Sequence, residues 1–95
     1  MSETILDRPQ ILNAIQRELE HAYTKHGEER WSRHEFYGVI KEELDEVWDD
    51  IKKDRSMKDL VPEIIQVAAM CIRYLETGDR YRGVITTDTL KKEKK

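Results

Sequence analysis

"LVPEIIQVAAMCI", residues 60–72, is the stretch on which the fold turns. Its polar side chains are Glu63 and Gln66, and the rest is apolar nearly all round. A helix of that kind is buried on every side. It is too short to cross a bilayer, which takes about 20 apolar residues. The whole chain has 95 residues, 39% of them charged and 38% hydrophobic, so its private core is modest. The expectation is an all-α fold with three main helices per chain, which completes its core by self-association.

Working outward, Gly78 stops this third helix, and Ser56 with Asp59 resembles a capping pair at its start. Pro62 is expected to kink or restart it. A first helix begins near Asp7 or Pro9 and repeats apolar residues at Ile11/Leu12, Ile15, Leu19 and Ala22/Tyr23 before Gly27. Ser32 caps a second helix that carries Phe36, Ile40, Val47 and Ile51 on one face and ends near Arg55. Residues 1–78 are expected to form one domain and residues 79–95 a partly disordered tail without helical period.

Net charge is −3, and the basic block is the terminal "KKEKK", so no nucleic-acid surface is expected. The opening "MSETILDRPQ" lacks a basic start and an apolar run, which gives the expectation of a cytoplasmic protein without signal peptide or membrane contact. Cys71 stands alone among apolar neighbours, as a buried thiol would.

"EELDE", residues 42–46, poses the functional question. Runs of acid on a helix are normally neutralised three or four positions away. Asp45 has Lys41, Asp49 has Lys52 and Lys53, and Asp50 has Lys53. Glu42, Glu43 and Glu46 have no base at those offsets and face one another instead. At about 100° per residue, Phe36, Ile40 and Val47 fall within about 60° of Glu43, which therefore points from inside the apolar arc. A carboxylate there is costly unless paired, protonated or bound to metal.

Glu63 and Gln66 repeat the i, i+3 offset of Glu43 and Glu46, with Arg73 on the same strip. Packed antiparallel, the two helices would converge these oxygens, and oxygen donors favour Mg²⁺ or Mn²⁺ over Zn²⁺. The bland alternative is a buried hydrogen-bond network that fixes helix register. His21 and His26, five apart, lie on different helix faces and with His34 make a poor zinc set. Trp31 is a candidate anchor of the core or of an interface, and Trp48 is read as packing.

"EELDE", sixteen residues, then "EIIQ" resembles the EExxE…ExxD signature of the MazG-like nucleoside triphosphate pyrophosphohydrolases, the all-α NTP pyrophosphatase superfamily. "YTKHGEERW" before it and "EIIQVAAMCIRYLE" after it are similar to that family's helices, and the resemblance spans roughly residues 10–77. It implies a homodimer or homotetramer with a four-helix-bundle-type core, and a Mg²⁺-dependent enzyme that cleaves a nucleoside triphosphate to the monophosphate and pyrophosphate. The chain has no glycine-rich phosphate loop, so for such a substrate Lys25, Arg30 and Arg73 are the cationic candidates for phosphate and Trp31 a candidate for stacking on the base. By position the resemblance makes Glu43, Glu46 and Glu63 metal ligands, while Glu42 supports them or orients the attacking water. Gln66 departs from the motif, where the family has Asp. Its amide oxygen can still bind Mg²⁺, but it removes one charge and cannot act as a base. The alternative expectation is a non-catalytic helical dimer of the same fold that binds nucleotide or a protein partner.

Overall fold

The structure is a computed structural model that describes residues 5–91. Apart from Lys91, the basic block at the C-terminus lies outside the described residues, as do the first four residues of the chain. Four helices follow one another: α1 (Arg8–His26), α2 (Arg33–Lys52), α3 (Met57–Thr77) and the short α4 (Thr87–Lys91). No described residue belongs to an extended strand, and no helix among them is long and apolar enough to cross a membrane.

Local chemistry sets the helix boundaries. Asp7 accepts from the Gln10 N–H at 3.0 Å, and the Gln10 side chain accepts from the Asp7 N–H at 2.9 Å. Ser32 and Glu35 close the same reciprocal box on α2, at 3.1 and 2.8 Å. Each box satisfies two backbone donors that a helix start would otherwise leave bare. Gly27 and Gly78 end α1 and α3 with φ of 67° and 90°, a region that favours glycine.

Two boundaries differ from expectation. Ser56 precedes α3 without a side-chain cap bond. Pro62 neither breaks nor restarts α3, which runs through it unbroken. So close to the helix start, the missing Pro62 N–H frees a single early carbonyl, that of Lys58, and leaves every later hydrogen bond intact. α2 ends at Lys52, where Asp54 turns the chain with φ 58°.

α3 is the central helix and packs against both α1 and α2, which make no close backbone approach to each other. Phe36 stacks on Tyr74 at 4.1 Å at one end of the α2–α3 pair. Asp50 meets Glu63 at the other, so the two helices run antiparallel. Against α1 the order is parallel: Leu19 and Ala22 pack with Ala69 and Met70, and Tyr23 donates to Glu76 at 2.8 Å further on. Among the described residues, the buried apolar ones are Leu19, Ala22, Leu60, Ala69 and Met70, a small set.

Residues 79–83 fold back as a strap. Asp79 and Gly83 exchange backbone hydrogen bonds at 2.8 and 3.0 Å, and the Arg80 N–H donates to the Trp31 carbonyl at 3.0 Å. Asp79 is buried and accepts from the Tyr74 hydroxyl, the Arg33 guanidinium and the Tyr81 and Arg82 N–H groups. Burial pushes its carboxyl up, but these donors outweigh burial and hold it down at about 2.

Candidate metal and nucleotide site

α2 turns Phe36, Val39, Ile40 and Val47 inward, each half-buried, and Glu43 lies among them. One Glu43 carboxylate oxygen, Oε1, is buried without a hydrogen-bond partner. Burial pushes its carboxyl above the ordinary value, and the charges of Glu46, Glu42 and Glu18 push it further. Across the helix pair, Glu63 Oε1 is likewise buried and unpartnered. Burial raises the Glu63 carboxyl, and the adjoining Asp50 carboxylate, then Glu46 and Glu43, add to the rise. The Glu43 charge therefore reaches the half-buried Glu63 carboxylate across the helix pair.

The neutralising bases stay on the outer flank, where Lys41 pairs with Asp45 at 3.1 Å and Lys52 with Asp49 at 3.4 Å. Both pairs follow the sequence spacing. Asp50 does not: it leaves Lys53 and lies against Glu63, joining the acidic group from a position the spacing had assigned to a surface pair. Glu18 of α1 is the second addition. It sits three residues after Ile15 and four before Ala22, on the packed face of its helix, and that offset was readable.

Glu42 and Glu46 are exposed, and Gln66 is half-buried. The structure gathers Glu43, Glu46, Asp50 and Glu63 into one field. Among the described residues, however, no group of three or more acidic, histidine or cysteine side chains closes tightly enough to hold an ion as the side chains stand. His21, His26 and His34 form no such group either.

The cationic candidates divide. Lys25 and Arg30 are exposed beyond the end of the core. Arg30 lines a concavity of about 260 Å³ with Tyr23, Glu28 and Glu76. Arg73 is fully buried instead. Its Nη2 donates to the Gly27 and Glu29 carbonyls at 3.3 and 3.2 Å, and its guanidinium lies 4.7 Å from the Trp31 ring centre and 5.7 Å from that of Tyr23. It presents no atom to a phosphate, and ten residues of helix set it about 15 Å from Glu63. Trp31 is half-buried against the core, while Trp48 is 55% exposed with Lys52 over its ring. Sequence spacing placed Arg73 on the ligand strip, but its partners lie 44 and 46 residues away in the chain.

Comparison with protein-family models, with curated proteins and with solved structures returns no match.

Proposed function

We propose that this chain is a Mg²⁺-dependent nucleoside triphosphate pyrophosphohydrolase of the MazG-like, all-α kind, working as a homodimer or homotetramer in the cytoplasm. The observation that carries the reading is the pair of buried, unpartnered carboxylate oxygens on Glu43 and Glu63. Such oxygens need a proton or a cation, and an oxygen-only donor set suits Mg²⁺ or Mn²⁺.

In this reading Glu43, Glu46 and Glu63 bind the ion with the amide oxygen of Gln66. When bound, the ion screens the triphosphate from these acids and polarises the phosphorus under attack. Glu42, exposed beside the ligands, orients the water. The water oxygen bonds to the α-phosphorus as the bridging bond to the β-phosphate breaks, the water's proton passes to the Glu42 carboxylate, and pyrophosphate departs. Lys25 and Arg30 are the cationic side chains open to phosphate. Arg73 holds residues 27–29 in place from within the core.

A panel of canonical, deoxy and modified nucleoside triphosphates with Mg²⁺ or Mn²⁺ tests this by pyrophosphate release. Release from at least one nucleotide, abolished by chelator, is the expected result. A second reading is favoured by Gln66, which supplies no charge, and by the acids, no three of which close around an ion as the described side chains stand. That suits a non-catalytic dimer that binds nucleotide or a protein partner. Nucleotide-dependent thermal stabilisation without pyrophosphate release would select it.

A further inference from the structure

Asp49 and Asp50 are adjacent on α2, each with a lysine three positions on, and they part company. Asp49 takes Lys52 at 3.4 Å. Asp50 has Lys53 at the same offset, yet no ion pair among the described residues includes it. The difference is direction. At about 100° per residue, Asp50 falls about 20° from Glu43, on the same inward strip, whereas Asp49 falls about 120° away. Asp50 is accordingly half-buried, as Glu43 is, and Asp49 is exposed.

The antiparallel packing sets Asp50 beside Glu63. Counted from the Phe36–Tyr74 stack, Asp50 lies about 21 Å along α2 and Glu63 about 17 Å back along α3. Glu46 lies at about 15 Å on the same scale, so the three acids span about one helical turn along the pair. Within that turn Glu63 Oε1 is buried without a partner. Gln66, at about 12 Å, is level with Glu43 at the other end of the strip.

Gln66 brings the proposed cation site an oxygen but no charge. We propose that Asp50 supplies that charge, so that the acids of the site are Glu43, Glu46, Asp50 and Glu63. A hard dication is held chiefly by anionic oxygens, and an amide does not replace one. An aspartate on the inward strip of α2 does. Without an ion the placement is unfavourable, because Asp50 and Glu63 bring two carboxylates together with no base to neutralise them. Packing gives no reason for an acid there, since an apolar residue would continue the inward face of α2 without desolvating a charge.

This role for Asp50 rests on the cation site of the proposed function, and the ion alone tests it. In isothermal titration calorimetry with Mn²⁺ and no nucleotide, Asp50→Asn should weaken binding about 10-fold or more. Asp49→Asn removes an exposed charge one residue away and should bind as the parent does. Asp50→Asn combined with Gln66→Asp should regain the lost affinity. Without metal, Asp50→Asn should melt at or above the parent, because it relieves the repulsion on Glu63. A parent that binds Mn²⁺ no more tightly than Asp50→Asn overturns the assignment and leaves the cation site standing. A double variant that stays as weak as Asp50→Asn does the same. So does an Asp50→Asn protein that melts below the parent without metal, for Asp50 is then a hydrogen-bond partner that holds Glu63 in place. A parent that binds no Mn²⁺ overturns both the assignment and the site.

Discussion

The charge of Glu43 on α2 reaches Glu63 on the antiparallel α3 and raises its carboxyl, and each residue has one carboxylate oxygen buried and unpartnered. The folded protein therefore holds protons on these groups more tightly than the unfolded chain does. The relationship has consequences for stability, for metal and for the choice of residue at position 66.

The first consequence is a pH dependence of definite sign. Both carboxyls lie above the ordinary value of 4.5 when folded. Their stabilising contribution is present below that value and is lost as pH rises through the raised values. Without divalent metal, stability should fall across that window, and Glu43→Gln should flatten the fall. Asp79 has the opposite sign: its carboxyl is held down at about 2, so its contribution is present above 3.8 and lost as acid approaches that lower value. Thermal melts from pH 2 to 8 measure both. A Glu43→Gln profile identical to the parent would contradict the strained pair.

Gln66→Asp restores the acid of the resembled motif. If position 66 is a ligand, the added charge should raise Mg²⁺ affinity, and the melting temperature with Mg²⁺ should exceed the parent's. If Gln66 is a structural amide, the change deletes a donor and buries a charge, a loss of about 1–3 kcal/mol that metal does not repair. A variant that melts below the parent with and without Mg²⁺ removes Gln66 from the site.

Arg73→Lys separates positioning from substrate contact. Arg73 bridges two loop carbonyls and lies over two rings, a geometry that one ammonium cannot reproduce. The variant should lose about 1–3 kcal/mol in urea unfolding. KM for nucleotide should stay at the parent value in the folded fraction. A rise in KM with unchanged stability would restore Arg73 to the phosphate site.

Gly78→Ala should destabilise the protein by about 1–3 kcal/mol. Its φ of 90° disfavours a side chain, and a Cβ there would stand 2.6 Å from the Gly83 carbonyl oxygen and 2.9 Å from the Val84 Cα. Urea midpoints give the value. A neutral substitution would mean that the strap at residues 79–83 yields without penalty.

Much of this architecture was legible because it is local. The Asp7 and Ser32 caps, the stops at Gly27 and Gly78 and the inward direction of Glu43 follow from spacing and side-chain chemistry within one or two turns. The antiparallel packing of α2 on α3 follows from their short connection. What the sequence concealed was long-range. Asp50 has a lysine three positions away, so spacing assigned it a surface pair, and only the packed α3 shows Glu63 as its neighbour. Arg73 shares the ligand strip in projection, yet its partners are carbonyls that arrive from residues 27 and 29. The strap depends on Asp79 collecting donors from α2, α3 and its own turn, which helical periodicity cannot register.

The central claim is that the carboxylates of α2 and α3 form a cation site. The most direct measurement is the melting temperature at pH 7 with and without millimolar Mg²⁺, for the parent and for Glu63→Gln. A ligand of the folded state stabilises it by about 2.7 kcal/mol at a hundredfold excess over Kd. The parent should therefore melt several degrees higher with Mg²⁺, and Glu63→Gln should lose most of that gain. A parent melting curve that neither Mg²⁺ nor Mn²⁺ moves would contradict the account.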